Sequence, residues 1–305
     1  MRVRPETAAD YAAVARVHVR AFGDRADEAV IVALLRQRAS YTPGLSLVAE
    51  VDGVIAGHVL FTPGILPLMG QAVPAVLLAP LAVDPAFQRR GIGGALIEAG
   101  HEAARQHGAA LSLLLGHPEY YPRFGYQVQS YGIARCVVDV AALPATGPLT
   151  ARKPAAADLP ALMRLWEHEE GAVDFSLRPD AALLDWLSPN PLITATVYER
   201  GGSVVGFTRI HQAAPAEPRL LLAADVSAAQ AMAHAIASSA AVQSLTLPLH
   251  PASASAALGT AAVRTFDPAL AAELIPGALG GYLAGVRAGQ RPPGRPLWPT
   301  AFDLA

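Results

Sequence analysis

The chain has 305 residues, 52% of them hydrophobic and 16% charged, and carries a formal net charge of −2. A mean hydropathy of +0.32 allows a sizeable core and excludes disordered, collagen-like and coiled-coil chains, and the balanced charge excludes the basic footprint of a nucleic-acid binder. One cysteine, Cys136, excludes internal disulfides and cysteine-held metal clusters.

The first residues, Met1-Arg2-Val3-Arg4-Pro5-Glu6, carry no apolar stretch of the signal-peptide kind. Arg2 to Arg4 reads as a short strand closed by Pro5. Asp10 to Phe22 sets Val14, Val17, His18 and Ala21 on one helical face with Asp10 as its cap, and a second helix follows from Asp27 to Arg38. Ser46–Glu50 and Val54–Leu60 flank Val51-Asp52-Gly53, a hairpin signal. Ala75 to Val83 is apolar throughout and reads as a buried strand. The longest apolar run, Ala72 to Val83, is interrupted by Pro74 and Pro80 and falls well short of the roughly 20 residues that span a membrane. A Gly-rich turn leads into a helix from Ile92 to Gln106, Ala110 to Leu115 is a second buried strand, and Glu119 to Phe124 a helical turn. Strand, helix, strand in this order predicts a βαβ unit with adjacent parallel strands. The expectation is a mixed α/β protein, reduced and cytoplasmic, with no membrane or nucleic-acid partner.

The pattern then recurs. Arg4-Pro5 and Asp10 reappear as Lys153-Pro154 and Asp158, Glu50, Gly53 and Gly57 as Glu199, Gly202 and Gly206, and His117-Pro118 as His250-Pro251. The later interval is shorter by about 16 residues, part of the loss falling where Leu220-Leu221-Leu222 enters a helix through Ala223-Ala224-Asp225-Val226 without a glycine. Thr146-Gly147-Pro148 is the seam, giving units at 1–145 and 149–290 and a Pro-rich tail at 291–305 whose Leu297, Trp298 and Phe302 predict docking.

The chemistry is concentrated in Leu81-Ala82-Val83-Asp84-Pro85-Ala86-Phe87-Gln88-Arg89-Arg90-Gly91-Ile92-Gly93-Gly94-Ala95. Amide groups at a helix start, unobstructed at Gly91, Gly93 and Gly94, form an anion site beside Arg89 and Arg90. A Walker loop would end Gly-Lys-Ser/Thr, where this turn reads Gly94-Ala95-Leu96. A dinucleotide fingerprint would place a small residue at Leu96 and an acid at the end of the next strand, and neither is present.

Gln88-Arg89-Arg90-Gly91-Ile92-Gly93 resembles the Gln/Arg-x-x-Gly-x-Gly/Ala signature of the GNAT superfamily of N-acetyltransferases. Leu81 to Pro85 before it and Leu114-Leu115-Gly116-His117-Pro118-Glu119-Tyr120-Tyr121-Pro122-Arg123-Phe124-Gly125-Tyr126 after it fit the same family in order and spacing. The resemblance covers roughly residues 1–140. It implies a twisted mixed sheet with flanking helices, here duplicated, and direct transfer of an acetyl group from acetyl-CoA to a primary amine on a small molecule or peptide. Association into a homo-oligomer is left open. Amides from Arg89 to Ala95, including Gly91, Ile92, Gly93 and Gly94, would cradle the pyrophosphate, with Gln88, Arg89 and Arg90 at the turn. The backbone of Leu81, Ala82 and Val83 would pair with pantetheine, and the Val83 N–H would face the thioester carbonyl as an oxyanion donor. Tyr121 stands where the family carries the tyrosine that protonates the leaving thiolate, Tyr120 being the competitor and Tyr126 a core aromatic.

The resemblance does not supply the general base, since Leu77-Leu78-Ala79-Pro80-Leu81 offers no carboxylate. Asp24, Asp27, Glu28, His117 and the terminal carboxylate at Ala305 are the candidates, while His58 and Cys136 read as structural. The second half resembles a GNAT domain that has lost its pyrophosphate turn and is expected to wall the acceptor cleft. A tandem of active and degenerate copies resembles the enhanced intracellular survival acetyltransferases, without room for their third, sterol-carrier-like domain. A non-catalytic acyl-CoA sensor is the alternative, favoured by the missing strand carboxylate and opposed by Tyr121.

Overall fold

The computed structural model describes residues 1–304. The first half runs β1 (Arg2–Pro5), α1 (Tyr11–Ala21), α2 (Asp27–Leu35), β2 (Ser46–Val51), β3 (Val54–Leu68), β4 (Gln71–Val83), α3 (Ile92–Gln106), β5 (Leu111–Leu115) and β6 (Tyr126–Gln127). There follow β7 (Gly132–Asp139), β8 (Thr150–Arg152), α4 (Leu159–Glu170), β9 (Ile193–Arg200), β10 (Ser203–His211), β11 (Leu220–Ala223), α5 (Val226–Ala240), β12 (Ser244–Leu247), β13 (Thr260–Thr265), β14 (Ala269–Glu273) and α6 (Ala278–Arg287). Among the described residues no helix is long and apolar enough to cross a membrane.

Strands β1 to β4 are antiparallel neighbours, and β5 lies parallel to β4 with α3 as the crossover between them. β3 runs further than the hairpin signal suggests. Thr62-Pro63-Gly64 stays extended with Pro63 opposite Val76, because proline fixes φ within the extended range and holds its predecessor there too. α3 packs Leu96 and Ile97 onto Phe61, Val76 and Leu114, which with Leu47 and Val59 form the core of the sheet.

The sheets do not divide at Thr146-Gly147-Pro148. β14 inserts between β5 and β6 to complete a seven-stranded sheet, and β7 pairs with β12 and β13 in a three-stranded one. The two halves exchange strands across the seam. The remaining sheet, β11-β10-β9-β8, repeats in sequence order the antiparallel set β4-β3-β2-β1.

One ion cluster recurs as well. Arg4 grips Asp10 at 2.7 and 2.9 Å and Glu50 at 3.2 Å; Arg152 grips Asp158 at 2.7 and 2.8 Å and Glu199 at 2.6 and 2.9 Å. The aspartates accept the N–H groups of Thr7 and Ala155, each at 2.8 Å. The counterpart of Arg4 is thus Arg152 and not Lys153. Aligning on Pro154 displaces the pairing by one residue, which in a strand turns the side chain to the other face.

A polar chain crosses the first core under α1. The Glu6 carboxylate accepts from Arg36, Tyr41 and the Ser46 hydroxyl, the last at 2.7 Å. Ser46 Oγ meets His58 Nε2 at 3.0 Å, and His58 Nδ1 meets His18 Nε2 at 2.8 Å. Since Ser46 donates to Glu6, His58 donates to Ser46 and His18 to His58, which leaves His18 Nδ1 as a buried acceptor with no protein partner. Burial pushes both imidazoles down, His58 to about 3 and His18 to about 2. The neutral form is the folded one.

The tail is fastened to both halves. The Gly132 N–H donates to Gly294 O at 2.8 Å, Gly294 N–H to the Tyr282 hydroxyl at 2.7 Å and Thr300 Oγ1 to Leu184 O at 2.7 Å. Asp303 accepts from Arg209 at 3.1 Å and Arg219 at 3.2 Å.

Candidate active site

β4 and β5 share three parallel pairs, Ala75–Leu111, Val76–Ser112 and Leu77–Leu113, and then part. Beyond Leu77, β4 keeps β3 on one edge, through Leu78–Phe61, Leu81–Val59 and Val83–Gly57, while the edge toward β5 is unpaired. The Asp84 N–H donates to Ala56 O at 2.9 Å, so strand alternation turns the Val83 and Leu81 N–H groups toward the gap. The gap opens into a cleft of about 1360 Å³.

The glycine turn stands on one wall. Gly91, at φ +80°, is the residue before α3, and no side chain caps the helix. The first helical bond is Ala95 N–H to Gly91 O at 3.1 Å, which leaves the N–H groups of Ile92, Gly93 and Gly94 without an intrahelical partner. A Cβ at Gly93 would stand 2.8 Å from the Tyr120 hydroxyl, so any larger residue there displaces that side chain. Leu81, Val83, Gln88, Arg89, Gly91, Ile92, Gly93 and Gly94 all line the cleft, and Gln88 Nε2 donates to Val83 O at 3.1 Å.

Three expected residues do not reach the cleft wall. Ala82 is buried within the sheet, because its neighbours on the strand take the open side. Arg90 is exposed, its guanidinium 5.3 Å from the centre of the Phe87 ring. Ala95 spends its amide on Gly91, so the free amides end at Gly94.

Opposite the turn, Tyr120 and Tyr121 both line the cleft, ring against ring at 90° and 5.2 Å. Tyr121 is the more buried, and burial, reinforced by Tyr120, pushes its phenol up to about 12. Tyr126 lies in the core, its hydroxyl bonded to Ser112 at 2.6 Å and His101 at 2.9 Å. Cys136 is buried on β7 among Val138, Leu247 and Leu258.

Of the candidate bases, Glu28 and His117 line the cleft. Asp24 is exposed at φ +62°, and Asp27 is bound to Arg25 at 2.6 Å on the surface. The terminal carboxylate at Ala305 lies outside the described residues. Cleft residues not singled out for the site from sequence include Phe22, Ile31, Glu98, Trp298 and Phe302. The last two come from the tail, and aromatic residues within a Pro- and Gly-rich segment were their signal. Among the described residues, 150–290 contribute nothing to the cleft wall. That half acts at a distance, by fastening the tail through Arg209, Arg219 and Leu184.

A family model described as an acetyltransferase (GNAT) domain matches residues 2–129. Uncharacterized N-acetyltransferase YjhQ of Escherichia coli strain K12 is 41% identical over 118 residues, spanning 39% of this chain and 65% of that protein, so just under two thirds of that relative is covered. Uncharacterized N-acetyltransferase YhbS of the same strain is 31% identical over 136 residues, 45% of this chain and 79% of that protein. The crystal structure of a GCN5-related N-acetyltransferase from Kribbella flavida shares the fold, with a TM-score of 0.67 at 20% identity over 88% of this chain and 70% of that one. The likeness of fold therefore extends well beyond residues 2–129.

Proposed function

This chain belongs to the GNAT family of acetyltransferases, and from that premise we propose that it transfers an acetyl group from acetyl-CoA directly to an amine in a ternary complex. The reading is carried by one conjunction: the unpaired edge of β4, the uncapped start of α3 and Tyr121 all open on the same cleft. A cleft of about 1360 Å³ accommodates a coenzyme and an acceptor together.

Acetyl-CoA supplies an acetyl group activated as a thioester. The N–H groups of Ile92, Gly93 and Gly94 hold the pyrophosphate with Arg89, and the free edge at Leu81 and Val83 takes the pantetheine arm as an added strand. The Val83 N–H donates where negative charge develops on the carbonyl oxygen. Tyr121 gives its proton to the departing sulfur. The second half is a GNAT-like copy without a coenzyme site: Asp225 caps α5, accepting the Ala228 N–H at 2.7 Å, and so puts a carboxylate where the first half leaves bare amides.

Thermal unfolding with acetyl-CoA tests the reading. A hundredfold excess over Kd stabilises by about 2.7 kcal/mol, and free thiol appears when an accepted amine is added. Gly91→Val projects a side chain into open space at the turn and strains a left-handed residue, so the shift should vanish. An unchanged shift removes the turn from the site; binding without thiol release across an amine panel favours the sensor.

A further inference from the structure

Resting on the acyl-transfer reading, we propose that the acceptor is a small monoamine with a flat apolar body, and that Glu28 receives the proton its ammonium must lose. The cleft has two chemically distinct ends. The turn end carries Arg89 and Arg123, with Glu98 exposed one helical turn beyond Gly94. The other end is walled by Phe22, Ile31, Trp298 and Phe302, and among the described residues Glu28 is the carboxylate there.

Glu28 Oε2 is buried and, among the described residues, has no hydrogen-bond partner. The Glu28 side chain lines the cleft while Oε2 is turned into the packing, so the carboxylate lacks a compensating donor, and an ammonium in the cleft, meeting its other oxygen, supplies the opposite charge. The surrounding rings favour the same ligand, since aromatic faces attract a cation and bury a flat hydrocarbon body. They oppose a polyamine or an aminoglycoside. Among the described residues Glu28 is the one carboxylate at this end, so every charge beyond the first would be desolvated against Trp298, Phe302 or Ile31 without a second one to meet it.

The step balances as follows. The ammonium passes one proton to the Glu28 carboxylate, which returns it to solvent. The freed nitrogen lone pair forms a C–N bond at the thioester carbonyl, the C–S bond breaks, and its electron pair leaves on sulfur. Tyr121 protonates that sulfur, and the second proton lost from nitrogen restores the phenol.

The test uses the full chain, acetyl-CoA and a charge series of acceptors: 2-phenylethylamine, hexylamine, spermidine, kanamycin and a lysine-bearing peptide. On thiol release, 2-phenylethylamine should exceed each polycation and the peptide at least about tenfold in kcat/KM, as desolvation of unpaired charge requires. Calorimetric titration of 2-phenylethylamine into CoA-saturated protein should give binding that Trp298→Ala weakens about tenfold. Glu28→Gln should lower kcat about a hundredfold and leave the acetyl-CoA thermal shift intact. Preference for spermidine, kanamycin or the peptide, or a Glu28→Gln protein retaining most of its kcat, overturns the proposal while the acyl-transfer reading stands. Failure of acetyl-CoA either to bind or to be consumed overturns both.

Discussion

Replacing Tyr121 by phenylalanine keeps the ring that packs against Tyr120 and Tyr126 and removes only the hydroxyl. The size of the effect follows from the burial of that hydroxyl. A phenol near 12 facing a thiol of pKa about 8.5 makes complete proton transfer uphill by about 3.5 pK units, or roughly 5 kcal/mol. Transfer must therefore accompany C–S cleavage rather than precede it. Burial also makes the phenol a weaker acid than it is in water. The loss belongs at the lower end of the range for general acid catalysis, about 10²-fold in kcat. Acetyl-CoA affinity and thermal stability should hardly change. Thiol release at saturating acetyl-CoA, measured beside the coenzyme-induced thermal shift, separates the two quantities. Tyr120→Phe should be mild, the Tyr120 hydroxyl being turned to Gly93. A Tyr121→Phe enzyme with most of its kcat, or a loss confined to coenzyme binding, refutes the assignment.

Two further outcomes concern stability. His58 and His18 are held neutral in the fold, with pKa values of about 3 and about 2 against about 6.5 unfolded; the unfolded chain therefore binds more protons below pH 6.5, and stability falls as pH falls. His58 alone contributes a slope of about 1.4 kcal/mol per pH unit between about 6.5 and 3, and denaturant midpoints that stay level from pH 6 to 4 would contradict the buried chain. Asp303→Ala strips the counter-charge from Arg209, whose side chain is 9% exposed, and should cost about 3 kcal/mol of unfolding free energy; a change under about 1 kcal/mol would show that this ion pair does not fasten the tail.

The turn was legible because its instructions are local. Three glycines, two arginines and the flanking apolar strands act over a dozen residues, and the structure needs Gly91 for its φ. Asp27 and Glu28 were not separable in the same way. Adjacent residues at a helix start differ by about 100° in direction, and only the packing of α2 decides that Glu28 faces the cleft while Asp27 meets Arg25. β14 was illegible for another reason. Ala269-Leu270-Ala271-Ala272 has weak strand propensity and becomes a strand through partners on β5 and β6, far away in sequence. The tail aromatics announced that they would dock but not where, because their destination depends on Asp303 of the tail meeting Arg209 and Arg219 of the second half, far away in sequence.

Strand exchange also dictates an order of events during synthesis. β1 to β6 leave the ribosome long before β14, yet β14 is the strand between β5 and β6. Until Glu273 has emerged, the nascent sheet presents the outer edge of β5, with Leu111, Leu113 and Leu114 unpaired on it, an open template for any extended chain nearby. β7 waits in the same way for β12 and β13. The half that carries the glycine turn is thus finished by the half that lacks one, and a copy of the gene cut at the seam would encode two exposed edges rather than two proteins.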